Sequence, residues 1–291
     1  MAAIEIQGLS KRFGRVQAVR DLSFEVEAGR VTGFLGPNGA GKSTTIRMLL
    51  GLIGVDSGTA TIDGRRYGEL DEPSAHVGAV LEDASFHPGR SGRNHLRILA
   101  AAGGHPAERV DEVLGIVGIA DAGDRRVKGY SMGMRQRLAI AAALLGDPDV
   151  LILDEPANGL DPPGIRWMRD LLRAEASRGR AVLISSHLLS EVSQTVDDVV
   201  VIAKGELKAS GPLDEIVGRA AGGATRVRAR DAEGLARALD RAGISYAHGS
   251  KGELLAWAAS GEEIGEAANA ANVALSELTT DSRSLEDVFL E

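Results

Sequence analysis

The stretch VTGFLGPNGAGKSTTIRMLLGL, residues 31–52, decides how the rest of the chain is interpreted. It opens with a short apolar segment, Val31–Leu35, which predicts a buried strand, and it closes with apolar residues at helical spacing. Between these two segments, residues 36–43 match the pattern G-x-x-x-x-G-K-[ST] in the strand–loop–helix setting that the pattern requires. The alternative is a glycine-rich turn that happens to precede a helix. The sequence favours a nucleotide-binding α/β protein, although this loop alone does not say which reaction follows.

The physical basis of this prediction is the loop's ability to hold an anion. Glycines allow consecutive backbone N–H groups to turn toward one phosphate, and the following helix directs its positive end at the same place. Lys42 adds a positive charge for the terminal phosphates, and Ser43 offers a hydroxyl to Mg²⁺. The residues expected to bind the nucleotide here are Gly36, Pro37, Asn38, Gly39, Ala40, Gly41, Lys42, Ser43 and Thr44.

Two further strands are predicted to end in polar side chains. Val150–Leu153 is a continuous apolar run followed by Asp154 and Glu155. In open α/β sheets ligands bind at the carboxyl ends of the strands, so Asp154 is placed to hold Mg²⁺ and Glu155 to orient or deprotonate an attacking water. A third apolar run, 181–185, ends near His187, which we interpret as a γ-phosphate contact, with a capping or surface histidine as the alternative.

Composition bounds the kind of protein. The 291 residues carry a formal net charge of −8, which argues against nucleic-acid binding through a broad basic surface, so no nucleic-acid partner is expected. There is no cysteine, which excludes disulfides, thiolate metal sites and cysteine nucleophiles. The first residues do not resemble a secretory signal, and no apolar run approaches the roughly 18 residues of a membrane span.

The segment YSMGMRQRL, residues 130–138, carries a family resemblance. Followed by AIAAALLGDPDVLILDEP and preceded by the phosphate loop, it resembles the signature region of the ATP-binding subunit of ABC transporters. The family's signature usually reads Leu-Ser-Gly-Gly-Gln. Ser131 and Gly133 agree with it, whereas Tyr130, Met132 and Met134 replace the other three positions. A helix is predicted to begin near Met134 or Arg135.

The resemblance extends over roughly residues 4–218 and implies a fold class. It implies an α/β P-loop NTPase core of the ABC ATPase type over residues 1–220, with a helical subdomain at about 88–145. For residues 221–291 the pattern itself predicts a small α+β appendage, with strands near 225–230, 253–259 and 273–280 and helices near 232–243 and 262–272. Whether that accessory segment regulates the core or only packs is left open.

The resemblance also implies residue roles. It assigns Lys42 to phosphate, Glu155 to the attacking water, and His187 to γ-phosphate. Ser131 and Gly133 would face the ATP of a second copy, Asp161 would lie in the loop that crosses between copies, and Phe13 would stack on adenine, with a core phenylalanine as the alternative. Because the chain carries one phosphate loop and one signature, a homodimer is the simplest working unit.

One position departs from the family. The strand predicted at Val77–Leu81 is followed by Glu82, where the family carries glutamine, and no glutamine occurs between Gln17 and Gln136. We interpret Glu82 as a Mg²⁺ ligand that tunes hydrolysis. The alternative is a surface acid in a coupling loop.

The final residues, 284–290, resemble the tail of ATPase subunits from multidrug and antibiotic-resistance exporters. The resemblance implies an enzyme that binds ATP and Mg²⁺ and powers export of a small molecule through separate multi-span permease subunits. It would lie at the cytoplasmic face of the cell membrane, held there by the permease. An ABC-type ATPase acting on ribosomes, DNA or cofactor assembly is the main alternative, and a P-loop kinase or GTPase is a second one.

Overall fold

A computed structural model describes residues 2–82, 86–188, 192–213, 215–216, 225–248, 253–257, 259–271 and 273–280. The chain divides into two compact units, Met1–Leu213 and Asp214–Glu291. The tail at 284–290 lies outside the described residues. No helix within the described ranges is both long and apolar enough to cross a membrane.

The first unit is built on a six-stranded sheet in the order β5-β6-β7-β3-β8-β9. Its members are β3 Val31–Leu35, β5 Val77–Val80, β6 Val150–Leu153, β7 Ala181–Ser186, β8 Asp198–Ala203 and β9 Glu206–Pro212. The pairs from β5 to β8 are parallel, and β9 is antiparallel to β8. Continuous apolar runs suit parallel strands that are covered on both faces, and β3 and β6 are buried along their whole length.

A second sheet of three antiparallel strands packs against the first. It has the order β2-β1-β4 and consists of β1 Ala2–Phe13, β2 Val16–Glu27 and β4 Ser57–Ile62. Ile4, Leu22, Phe34 and Ile46 join one apolar core that spans both sheets and the helix after β3. This core fixes β3, and therefore the loop that follows it.

The described α-helices of the first unit are α1 Lys42–Leu49, α2 Pro73–His76, α3 Gly92–Gly103, α4 Arg109–Ile116, α5 Met132–Ala143 and α6 Pro162–Ser177. The α5 helix begins two residues earlier than the predicted start near Met134, because the Ser131 hydroxyl accepts a hydrogen bond from the Met134 N–H at 3.2 Å and caps it. The prediction of the helix start was therefore wrong, because Ser131 is the N-cap residue and the helix begins directly after it.

The second unit is an α+β fold, as its sequence pattern predicts. Its described elements are β10 Thr225–Ala229, α7 Ala232–Arg241, β11 Ser245–His248, β12 Leu254–Trp257, α8 Gly261–Ala270 and β13 Leu275–Thr280. All neighbouring strands pair antiparallel in the order β11-β12-β10-β13, which is the ferredoxin-like arrangement. Val227, Leu235 and Ile264 lie in its core. Strand β11 was absent from the sequence-based expectation.

Candidate active site

The candidate site lies where three neighbouring strands end. In the sheet order, β6, β7 and β3 are adjacent, so the segments that follow them meet at one edge. These segments begin with Asp154 after β6, His187 after β7, and Gly36 after β3. The edge is where ligands bind in open α/β sheets. The fold thus brings together residues that are up to 151 positions apart in sequence, from Gly36 to His187.

The phosphate loop requires glycine at two of its positions. A β-carbon on Gly36 would lie 2.3 Å from the Ile202 carbonyl oxygen, and one on Gly41 would lie 2.6 Å from the Ala18 carbonyl oxygen. Gly41 also has φ of 109°, in the region that favours glycine. The loop can therefore approach its neighbouring strands only because these side chains are missing.

Lys42, Glu155 and His187 form a connected set of side chains. The Lys42 ammonium donates to the Gly36 carbonyl oxygen at 2.6 Å and lies 3.2 Å from one carboxylate oxygen of Glu155. The other carboxylate oxygen of Glu155 lies 2.9 Å from His187 Nδ1. Lys42 and Glu155 are both buried, so the attraction between their charges is weakly screened. The lysine that would bind phosphate is thus held by the carboxylate that would act on water.

A serine that sequence reasoning missed connects the Asp154 carboxylate with the backbone amide of Glu155. The Ser185 hydroxyl donates to Asp154 Oδ1 at 2.6 Å and accepts from the Glu155 N–H at 2.8 Å. Glu155 has φ of 51°, an uncommon conformation for a residue with a side chain, and the serine fixes the amide at that point. The available signal was a pair of serines that ends an otherwise apolar strand directly before His187.

The side chains around the loop line a cavity of about 430 Å³. Of the predicted residues, it brings together Asn38, Gly39, Ala40, Gly41, Lys42, Ser43, Thr44, Glu82, Glu155 and His187. Glu82 is exposed at its rim. The cavity is also lined by Val16, Gln17 and Ala18, which the sequence did not single out, and by Asn158, from the segment 158–161 that resembles the family's loop between copies.

Several predicted residues lie outside this lining. Phe13 is 50 % exposed, and the Lys11 ammonium lies over its ring, 5.4 Å from the centroid. Gly36 and Pro37 lie at the base of the loop, where both carbonyls accept from Lys42. Asp154 is buried beneath Glu155.

Ser131, Gly133 and Asp161 belong to a separate cluster. Met132 lies directly over Gly159, since a β-carbon on that glycine would fall 2.1 Å from the methionine sulfur. Asp161 caps α6 by accepting from the Gly164 N–H at 2.9 Å. Within one chain, therefore, the signature segment contacts the loop before Asp161 and does not line the nucleotide cavity.

Comparison with known proteins places this geometry in a family. Residues 19–158 match the ABC transporter family. The chain is 44 % identical over 216 residues to a bacitracin transport ATP-binding protein of Bacillus licheniformis, a match covering 73 % of this chain and 71 % of the relative. The chain is an ABC transporter ATP-binding protein. It is also 39 % identical over 241 residues to a daunorubicin/doxorubicin resistance ATP-binding protein of Streptomyces peucetius, covering 81 % of this chain and 73 % of that protein.

The fold comparison agrees with the family. The ABC ATPase matches a solved structure described as the ATP-binding subunit of an ABC transporter with a TM-score of 0.67 and 29 % identity, covering 74 % of this chain and 91 % of that one. Residues 223–286 match a domain of unknown function. The predicted family, the α/β P-loop fold and an activity of ATP binding and hydrolysis are thereby confirmed for this ABC ATPase.

Proposed function

We propose that two copies of this ABC ATPase bind ATP between them and drive export of a small molecule through separate multi-span membrane subunits. The observation that carries the ATPase part is the cavity in which Lys42, Glu155 and His187 contact one another beside the phosphate loop. The relatives named for bacitracin transport and for daunorubicin/doxorubicin resistance support a small-molecule cargo of the drug or antibiotic type.

In this proposal, nucleotide binding exchanges one partner of Lys42 for another. The γ-phosphate carries more negative charge than the single carboxylate that now lies 3.2 Å from the ammonium, so the lysine moves to the phosphates and releases Glu155. The freed carboxylate then orients a water and accepts its proton. His187, already 2.9 Å from the carboxylate, is in reach of both that water and the γ-phosphate.

The residues present also fit Mg²⁺. Asp154 Oδ2 is buried and has no hydrogen-bond partner within the described part of the chain, although such an oxygen normally has one. Together with the hydroxyl of Ser43 and the carboxylate of Glu82, it supplies the hard oxygen ligands that Mg²⁺ prefers. When bound, the ion would neutralise charge that develops on the β- and γ-phosphates.

A homodimer accounts for the separate cluster at the signature. Ser131 and Asp161 are exposed in the single chain, and the helix that Ser131 caps presents backbone N–H groups outward. A second copy facing this surface would place its ATP against Ser131 and Gly133. The exposed ring of Phe13 would take the adenine.

The proposal also places the protein in the cell. With the permease as its anchor, the ATPase would act at the cytoplasmic face of the membrane. The second unit would serve as an accessory domain, either stabilising the dimer or regulating it. Its ferredoxin-like fold is compatible with both roles because a fold does not by itself fix a function.

The membrane partner is tested by purifying the tagged chain from membranes, with and without the genes adjacent to its own, and identifying the proteins that accompany it. Recovery of a stoichiometric multi-span membrane protein with the tagged chain is the expected result. Recovery of ribosomes, DNA or a soluble ATPase dimer alone would instead support a role outside transport.

The role of Glu155 is tested in the same preparation. Glu155→Gln removes the proton acceptor but keeps the shape of the side chain, so the variant should bind ATP, form a stable dimer on gel filtration and lose turnover. Undiminished ATP hydrolysis would contradict the role proposed for this residue.

A further inference from the structure

The residue before the signature serine is a buried tyrosine. Tyr130 is 4 % exposed, whereas Ser131, which follows it, is exposed and caps α5. The family usually carries leucine at the position of Tyr130, so the hydroxyl is a polar group that the usual signature lacks. Buried hydroxyls in folded proteins are nearly always hydrogen-bonded, because burial without a partner costs free energy.

The Tyr130 hydroxyl makes its contacts at the far end of the ring. It donates to the Ala122 carbonyl oxygen at 2.6 Å, and it lies directly against Gly92, the first residue of α3. A β-carbon on Gly92 would fall 2.3 Å from the hydroxyl oxygen and 3.1 Å from Cζ of the ring. Burial raises the pKa of the Tyr130 hydroxyl, so it keeps its proton and can donate at neutral pH. One side chain thus connects the residue before Ser131 to two other segments.

The contact with Gly92 belongs to a larger connection between two segments. Residues 88–93 lead into α3, and residues 123–128 lead into the signature. Backbone hydrogen bonds of 2.7–3.3 Å join these segments, donated by Lys128 to Pro88, by Val127 to Arg90, by Gly92 to Arg125 and by Arg93 to Gly123. The Tyr130 hydroxyl extends this connection to the residue next to Ser131.

The serine itself is held mainly through its neighbours. Its hydroxyl accepts from the Met134 N–H at 3.2 Å, within the first turn of α5, and Met132 on its other side is 63 % exposed. Tyr130 is therefore the buried neighbour that fixes the backbone where the helix begins. Groups that act on a reacting phosphate must be held within about 0.5 Å of the productive geometry. Losing an anchor one residue away from such a group lowers the rate of the reaction.

We propose that Tyr130 is a positioning residue: its hydroxyl, bonded to Ala122 and packed against Gly92, sets the place of Ser131 and of the first N–H groups of α5 against the ATP held by a second copy. The inference rests on the proposed homodimer. Tyr130 does not line the nucleotide cavity of its own chain, so its effect falls on the signature half of each ATP site.

The test measures ATP hydrolysis at saturating ATP in mixtures of two inactive full-length chains that exchange subunits. One chain carries Lys42→Ala and supplies only the signature, and the other carries Ser131→Arg and supplies only the phosphate loop. Tyr130→Phe, which keeps the ring and removes the hydroxyl, is added to either chain in turn. In the Lys42→Ala chain it should lower the recovered rate about three- to tenfold, the range expected for one hydrogen bond. In the Ser131→Arg chain it should leave the recovered rate unchanged.

Two further variants support the comparison. Gly92→Ala places a β-carbon where the Tyr130 hydroxyl lies, so it should lower the rate in the same chain as Tyr130→Phe and not in the other. Tyr246→Phe is the matched control, because it removes a tyrosine hydroxyl that bonds to Asp240 at 3.3 Å in the second unit, and it should change neither mixture. A chain that carries Tyr130→Phe alone should bind a fluorescent ATP analogue with the natural affinity.

The outcomes separate this inference from the homodimer on which it rests. An equal loss of rate in both mixtures would show that the Tyr130 hydroxyl only stabilises the fold, and no loss in either mixture would show that it does not position Ser131. Each of these results overturns the inference and leaves the homodimer standing. If the starting mixture, without Tyr130→Phe, recovers no activity, the homodimer is wrong and the inference falls with it.

Discussion

Replacing Ser185 by alanine tests how the ATPase site is held in place. The serine hydroxyl is buried, donates to Asp154 Oδ1 at 2.6 Å and accepts from the Glu155 N–H at 2.8 Å. Ser185→Ala removes both bonds and adds no bulk. The carboxylate loses a donor while it remains buried, and the amide of a residue in an uncommon backbone conformation loses its acceptor.

The size of the effect follows from the two bonds. A hydrogen bond to a charged group contributes about 1.5–3 kcal/mol, and a buried polar group left unpaired costs about 1–3 kcal/mol. Taking the lower end of both, because water from the neighbouring cavity can enter, we expect the free energy of unfolding to fall by about 2.5 kcal/mol. We also expect kcat to fall about 10- to 100-fold, since a displacement of about 1 Å in a catalytic group can change the rate by that much.

Urea denaturation and steady-state ATP hydrolysis measure the two effects. Ser186→Ala is the matched control, since its hydroxyl is also buried and, among the described residues, bonds only to the backbone of Leu188, at 3.1 Å. The control should keep its turnover. If Ser185→Ala changed the free energy of unfolding by less than about 0.5 kcal/mol, the range of an ordinary surface substitution, and left kcat unaltered, the bridging role would be wrong.

Four further substitutions address other side chains of the first unit. Glu82→Gln should change the Mg²⁺ dependence and the rate of ATP hydrolysis, and identical values for both would show that Glu82 is only a surface acid. Burial, with a smaller contribution from Arg90, lowers the pKa of His95, so the folded state favours the neutral ring and loses stability as pH falls below the unfolded value of about 6.5. Between pH 7.5 and pH 5, urea denaturation should therefore show a larger loss in the free energy of unfolding for the natural chain than for His95→Gln. Equal losses in the two chains would contradict this. Trp167→Leu should lower the free energy of unfolding by about 1–2 kcal/mol, because the Arg137 guanidinium lies 3.7 Å from the ring centroid and joins α5 to α6. If the charge of Arg137 alone matters to this contact, Arg137→Lys should lower the free energy of unfolding by a smaller amount.

The sequence predicted those parts of the fold that short-range patterns determine. Val31–Leu35 and Val150–Leu153 are strands with the predicted bounds, because each is a short and largely apolar run that ends at a glycine or a carboxylate. The polar residues after these strands meet at one edge because the strands are parallel and near neighbours in the sheet. That much follows from the pattern and from the chirality of α/β folds.

Other features depend on contacts that no local pattern encodes. Ser185 links the Asp154 carboxylate, 31 positions away, to the Glu155 backbone amide, 30 positions away, and the link exists only because β6 and β7 are neighbours. Strand β11 is four residues long and was missed because its stability comes from pairing with β12. The contact of Met132 with Gly159 likewise joins the start of α5 to a loop that is distant in sequence. Such features require the three-dimensional arrangement before they can be recognised.

The most direct test of the central claim, that each ATP site uses the phosphate loop of one copy and the signature of another, is the ATPase activity of a mixture of two inactive variants. One carries Lys42→Ala, and the other carries Ser131→Arg in the signature. Half of the dimers in an equal mixture pair the two variants, and each of these contains one intact site out of two, so we predict recovery of about one quarter of the natural activity if dimers form at random and their sites act independently. Activity in the mixture no greater than that of the separate variants, in a preparation shown to exchange subunits, would contradict the account.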